Sequence, residues 1–301
     1  MNTCPHPHVL VTGASSGIGR ATALRLATTG YHVFAGVRKP ADGAALAEAA
    51  AGELTPVILD VTDPQQIASA VQLIADHVGD NGLAGLVNNA GIGVFGPLEL
   101  IPIERFRRQL EVNVTGQLAI TQAALPLLRR ARGRIVMIGS IGARFTPPFV
   151  GPLAASKSTL ATMSDALRQE LAPWDIRVTV VEPGSIRSEA VDKLESDARA
   201  VMNEATAEGR ALYQDAFLHL VVFFARLHEK GSRPDVVAKT VERALGASRP
   251  RSRYLSGRNA HRMATIARLL PVPAQDALRR RLAGQPAPGS LAVRAAGHRG
   301  T

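Results

Sequence analysis

The chain holds a single cysteine, Cys4, among its 301 residues, so no disulfide can form within it, and a lone thiol fits a reducing compartment. Aromatic residues are few: one tryptophan and three tyrosines, with no tyrosine between Tyr31 and Tyr213. Long hydrophobic runs are missing as well. A bilayer span takes roughly 18 consecutive apolar residues, and the densest run, Leu220 to Ala225, is far shorter. Met1 to His8 lacks the basic-then-apolar layout of an export signal and leads directly into an apolar segment at Val9. A cytoplasmic protein is the expectation. The eight histidines show no metal-ligand spacing, and a catalytic zinc needs three converging protein ligands, so no metal is expected.

Lysine is scarce too. Only five of the 35 basic residues are lysine, and the formal net charge of +10 is carried by arginine. Alongside abundant alanine and glycine, that bias reads most simply as codon usage. The arginines gather late in the chain, at Arg249, Arg251, Arg253, Arg258 and Arg262 and again at Arg279 to Arg281. This cluster suits a solvated face and leaves open contact with a phosphate or an anionic membrane surface; no nucleic-acid partner is expected.

What is present is a large apolar fraction, 46%, with 20% charged residues, the balance of a globular protein with a substantial core. Strand-like and helix-like segments alternate at the spacing of βαβ units. Strands are expected at 9–11, 31–37, 56–59, 85–87, 134–138 and 176–181, with helices at 19–29, 64–78 and from about 157 to 171. The strands are apolar nearly throughout, as parallel strands covered on both faces must be. The expected fold is therefore α/β: a doubly wound parallel sheet of Rossmann type, in one main domain over residues 1–260. That domain includes a variable, helical region at 189–230 ending in the bulky run Phe217 to Leu227, which suits either a lid over an apolar ligand or a core or dimer helix. A short edge strand is expected near Arg253 to Leu255, an amphipathic segment at 261–283, and a disordered tail at 284–301 rich in Gly, Pro, Ala and Arg.

The first strand ends in Thr12-Gly13-Ala14-Ser15-Ser16-Gly17-Ile18-Gly19. Glycines at 13, 17 and 19 let the backbone turn sharply and approach a pyrophosphate, while the N-terminal N–H groups of the following helix face the anion. This pattern resembles the Thr-Gly-x-x-x-Gly-x-Gly signature of the short-chain dehydrogenase/reductase family, and further matches run to about residue 190. Asp60-Val61 follows the third strand, where the family contacts adenine. Asn88-Asn89-Ala90-Gly91 follows the fourth, where it steadies the sheet and the cofactor ribose. Asn113 lies in a Val-Asn-Val segment, where the family places a proton-relay asparagine. Pro183-Gly184 follows the sixth strand, beside the nicotinamide, with Ile186 and Ser188 just after it. Arg249-Pro250-Arg251-Ser252-Arg253-Tyr254 is similar to the retinol/hydroxysteroid-dehydrogenase-like branch.

The resemblance implies a nicotinamide cofactor, and the end of the second strand bears on which one. A carboxylate there binds a ribose 2′-hydroxyl and repels a 2′-phosphate. Gly36-Val37-Arg38 offers none, and Arg38 is suited to a phosphate, so NADP(H) is favoured over NAD(H). For catalysis the family uses a serine, a tyrosine and a lysine four residues after the tyrosine. Ser140 and Lys157 match; counting back four from Lys157 gives Leu153, which cannot exchange a proton. The expected activity is an alcohol–carbonyl interconversion on a lipophilic small molecule, impaired or unconventional at Leu153. The competing expectation is a cofactor-binding pseudo-dehydrogenase, a sensor or partner subunit. The resemblance also implies a homodimer or homotetramer built partly on the helix near Lys157, with Leu160, Met163 and Leu167 as candidate contacts.

Overall fold

A computed structural model of the protein describes residues 6–187 and 194–290. Its seven strands are β1 (His8–Val11), β2 (His32–Val37), β3 (Leu54–Ile58), β4 (Gly85–Asn88), β5 (Arg134–Ile138), β6 (Arg177–Pro183) and β7 (Arg253–Ser256). They form one sheet in the order β3-β2-β1-β4-β5-β6-β7, every pair parallel. The order reverses between β1 and β4, which opens a crevice at their carboxyl ends, the place where doubly wound sheets bind ligands.

Successive side chains of a strand point to opposite faces, and the core divides accordingly. Leu10, Phe34, Leu86, Ile135 and Met137 face one layer, built from α3 (Pro64–Val78), α5 (Gly116–Ala131) and α6 (Gly151–Glu170). Val9, Val11, Val33, Ala35 and Val136 face the other, built from α1 (Gly17–Thr28) and α9 (Asp235–Gly246), which pack on each other. The remaining helices are α2 (Pro40–Glu48), α4 (Ile103–Leu110), α7 (Leu194–Glu204), α8 (Ala207–Glu229), α10 (Ala260–Leu269) and α11 (Val272–Leu282). A third apolar cluster joins Phe149 and Val150 to Val201 and Met202 of α7 and to Phe217, Leu220 and Val221 of α8, with Leu153 packed at its margin. Phe217, Leu220 and Val221 of the bulky run in α8 are thus buried against a satellite core, whereas Val222 is exposed. No helix among the described residues is long and apolar enough to cross a membrane.

The α3 bounds and the β5 bounds agree with the sequence reading; Asp63 caps α3 by accepting from the Gln65 and Gln66 N–H groups. Two expectations need correction. The helix carrying Lys157 begins at Gly151, not at Lys157, with Pro152 in its first turn, where the missing N–H costs nothing. Leu160 and Leu167 are 1% and 8% exposed and face the chain's own core, so neither is available to a second subunit; Met163 is only partly buried. The 261–283 segment splits at Pro271 into α10 and α11, with Pro273 accepted in the first turn of α11. Of the tail, residues 291–301 lie outside the described part, as does Ser188.

Candidate active site

The crevice begins at the turn after β1. Gly13 has φ +63° and Gly17 φ +53°, the left-handed region that glycine enters without steric cost. A Cβ on Gly13 would sit 2.8 Å from Ala90 Cα, and one on Gly19 would overlap the Gly13 carbonyl oxygen and the Asn89 amide. Thr12 locks this turn to β4: its hydroxyl accepts from the Asn89 and Ala90 N–H groups, each at 3.0 Å. Asn89 Nδ2 donates back to the Thr12 and Gly13 carbonyls at 2.9 and 3.0 Å. Ser15 and Ser16 are exposed on the turn and Ile18 is partly buried behind it.

This cradle fits a phosphate. Helix α1 carries no acidic residue in its first turn, and Ser16 at its N-cap makes no side-chain capping bond. The first N–H groups of a helix lack partners inside it and carry a partial positive charge. With no side chain serving them, they are presented to an anion approaching over the glycines.

The rim extends along both sides. Arg38 lies exposed just past β2. Burial alone would raise the Asp60 carboxyl, but the Thr62 N–H and hydroxyl, Arg108 and Arg38 outweigh it and hold the group below its ordinary value. Val61 is buried beneath this edge. Opposite, Gly91 is exposed, and a side chain there would press on Asn113 Oδ1 at 3.2 Å. Pro183 to Ile186 close the floor: the Gly184 and Ser185 N–H groups donate to the Ser256 and Arg258 carbonyls at 2.8 and 2.9 Å.

Asn113 sits fully buried in a π-helical turn, Glu111–Thr115, which joins α4 to α5. Such turns recur at functional sites. Its Oδ1 accepts from the Ile92 N–H at 2.8 Å, and its Nδ2 donates to the Ile92 carbonyl at 2.9 Å and to Ser156 Oγ at 3.0 Å. Ser156 in turn donates to the Leu153 carbonyl at 2.8 Å. Both amide hydrogens are therefore engaged, and the side chain acts as a clamp between the β4 loop and α6.

Lys157 Nζ donates to the Ile138 carbonyl at 2.7 Å, which draws it to the carboxyl end of β5. Burial lowers its pKa to about 8, since removing an ammonium from water favours the neutral amine. Ser140, two residues beyond Ile138, accepts from the Gly142 N–H at 3.0 Å, which leaves its hydroxyl hydrogen for another acceptor. Leu153 lies one turn before Lys157, on the same side of α6. Of the three tyrosines, Tyr31 precedes β2, Tyr254 lies in β7, and Tyr213 on α8 donates to Glu99 Oε2 at 2.5 Å. The glycine turn, Asn89 to Gly91, Ser140 and the 183–186 segment thus lie at or just past the carboxyl ends of β1, β4, β5 and β6, with Lys157 bonded to the end of β5, Asn113 to the loop after β4, and Leu153 packed on the Phe149 cluster. Sequence reasoning missed Ser156, whose role appears only once π turn and α6 meet.

It also missed a second cluster. His8, His32 and His77 converge although they lie on β1, β2 and α3, because parallel pairing places His8 directly beside His32. Spacing along the chain gave no signal of this.

Known proteins share this architecture. Residues 7–199 match the profile of the short chain dehydrogenase family. Retinol dehydrogenase 5 of Mus musculus is 36% identical over 276 residues, covering 90% of this chain and 86% of that protein. Estradiol 17-beta-dehydrogenase 2 of Rattus norvegicus is 34% identical over 280 residues, covering 89% and 72%. A short chain dehydrogenase from Burkholderia cenocepacia, solved in complex with NADP, superposes with a TM-score of 0.66 at 27% identity, covering 92% of this chain and 97% of that one. With a match to the family profile over most of the chain and relatives more than 30% identical over about nine-tenths of it, the chain belongs to the short chain dehydrogenases, in the branch of the retinol and hydroxysteroid dehydrogenases.

Proposed function

We propose that the chain is an NADP(H)-dependent oxidoreductase that interconverts an alcohol and a carbonyl on a lipophilic small molecule, slowed because Leu153 replaces the catalytic tyrosine. The observation that carries this reading is the juxtaposition at the head of α6. Ser140 and Lys157 stand at the carboxyl end of β5, and Leu153, one turn before Lys157, packs against the apolar cluster of Phe149, Phe217 and Leu220. Fatty or polycyclic substrates suit such a wall, and the relatives named for retinol and estradiol agree with it.

In this reading Gly13 to Gly19 and the α1 N-terminus hold the pyrophosphate, and Asp60 and Val61 flank the adenine. Asn89 to Gly91 and Lys157 hold the ribose, and Pro183 to Ile186, with Ser188, line the nicotinamide. The nicotinamide, when bound, supplies or accepts the hydride. The chain's own residues handle orientation and the proton. Ser140 donates its hydroxyl hydrogen to the substrate oxygen. Lys157, with its pKa brought down to about 8, releases a proton near neutrality more readily than an ordinary lysine, directly or through water. Asn113 keeps α6 and the β4 loop aligned. A homo-oligomer, a reducing cytoplasmic setting and contact of the basic C-terminal helices with a membrane surface belong to the same reading. The test is NADPH oxidation across hydrophobic aldehydes and ketones, with NADP⁺ reduction across the matching alcohols. Slow turnover favouring large apolar substrates is expected. NADPH binding with no turnover anywhere would leave the second reading, a cofactor-binding non-enzyme, which the packing of Leu153 against apolar neighbours favours.

Cofactor preference has its own test. If Arg38 meets a 2′-phosphate, Arg38→Ala removes a charge-assisted hydrogen bond of about 1.5–3 kcal/mol and weakens NADPH by about 10- to 150-fold. The Kd for NADH should change little. Equal loss for both cofactors, read by fluorescence titration, removes Arg38 from the phosphate site.

A further inference from the structure

We infer that His8, His32 and His77 form a binding site for a late first-row divalent metal such as Zn²⁺, at the end of the sheet opposite the cofactor crevice. His8 and His32 are the first residues of β1 and β2, and His77 is in the last turn of α3, so the cluster lies at the amino ends of the parallel strands. Each residue offers one ring nitrogen, and the three nitrogens lie within 4.8 Å of one another. Ring centroids are 5.5 Å apart for His8–His32, 5.6 Å for His8–His77 and 4.6 Å for His32–His77.

Tetrahedral zinc with Zn–N bonds of about 2.0–2.1 Å holds its ligand nitrogens about 3.4 Å apart. Small side-chain rotations about χ1 and χ2 close the difference, and no strand has to move. Neutral imidazole is the form that binds metal.

The surroundings supply an outer shell. Glu53 Oε2 lies 3.4 Å from His32 Nδ1 and 3.3 Å from His6 Nδ1, and Thr55 Oγ1 lies 2.9 Å from His32 Nε2. A carboxylate on one imidazole nitrogen fixes the ring and strengthens the other nitrogen as a ligand. On binding metal, His32 exchanges the Thr55 hydroxyl for the ion and keeps Glu53. Imidazole donors suit zinc, copper and nickel rather than calcium or magnesium. Because β1, β2 and α3 are each tied to the ion, and the crevice lies at the other end of the strands, the metal braces the fold and takes no part in the hydride chemistry.

The test uses the full chain, untagged and purified without an immobilised-metal column. Zn²⁺ titrated by calorimetry should bind with one equivalent tighter than the rest and raise the unfolding temperature. Co²⁺ should give the visible absorption of a low-coordinate nitrogen site. His77 is exposed at a helix end, so His77→Ala should fold with an unchanged metal-free unfolding temperature. The variant should lose the Co²⁺ band and bind Zn²⁺ at least about 10-fold more weakly, the lower bound for losing even an outer-shell partner. His77→Gln should behave alike. Absence of a one-equivalent Zn²⁺ site in the parent chain overturns the inference. So does undiminished Zn²⁺ binding in both folded variants.

Discussion

Leu153→Tyr is expected to raise the turnover of hydrophobic carbonyls by about 10²-fold or more, the range that a positioned general acid contributes. A phenol titrates near ~10 in water, and an ammonium close by favours the phenolate, bringing that value toward neutrality. Lys157 stands one helical turn away, held by the Ile138 carbonyl at 2.7 Å, so the cation that tunes the phenol is already in position. Ser140 sits at the carboxyl end of β5, and the Asn113–Ser156 clamp fixes the main chain at Leu153 itself. The new side chain has to leave the margin of the Phe149 cluster and turn its oxygen toward the crevice, a change of rotamer on a rigid helix. Cofactor affinity should barely move, because the leucine carries no group that a cofactor needs. Steady-state kcat and the Kd for NADPH, measured side by side on parent and variant, separate these effects. No gain in kcat from a folded, NADPH-binding Leu153→Tyr would turn the reading toward a cofactor-binding non-enzyme. Brisk turnover by the parent would point to another proton donor, with Lys157 first in line.

Gly19→Ala should weaken NADPH by about 100-fold or more and lower the unfolding temperature. The added methyl would overlap the Gly13 carbonyl oxygen and Asn89 Nδ2, and both are fixed. Gly13 is held in its left-handed conformation against Ala90, and Asn89 is bonded to two carbonyls of the same turn. The strain therefore has to move the α1 N-terminus away from the turn. Overpacking a tight site costs about 1–3 kcal/mol, and a displacement near 1 Å at a positioning element is worth about 10²-fold. Gly246→Ala is the matched control: a methyl at the last residue of α9 meets nothing within 4 Å. Its stability should stay equal or rise slightly, as Gly to Ala in a helix does by about 0.5–1 kcal/mol. Equal cofactor affinity in Gly19→Ala and the parent would remove the glycine turn from the binding site.

Much of the architecture was legible because it rests on local rules. The apolar strands at 134–138 and 9–11 read directly, and so did α3, with Thr62 or Asp63 before Pro64 as its candidate cap and Asp63 the one that caps it. The start of α6 did not: the helix was expected from about residue 157, whereas it begins at Gly151, with Pro152 a residue that helices accept in their first turn. Leu160 and Leu167 could not be assigned to core or interface by periodicity, since the same stripe serves both. The site divides in the same way. Motif residues strung along the chain were found, whereas Ser156 and the three histidines acquire their meaning only from β1–β2 pairing and the meeting of α6 with the π turn.

That π turn makes chain length itself a carrier of information. Between Ile103 and Ala131 the backbone runs as one helical rod with a single residue too many for regular winding, accommodated at Glu111–Thr115. Shortening the stretch by one residue would let the rod wind uniformly, a locally better helix by every propensity rule. It would also remove the π turn that presents Asn113, taking its amide away from Ile92 and from Ser156 together. A gap of one position here would cost the crevice more than many changes of residue type, and it would do so while making the helix more regular.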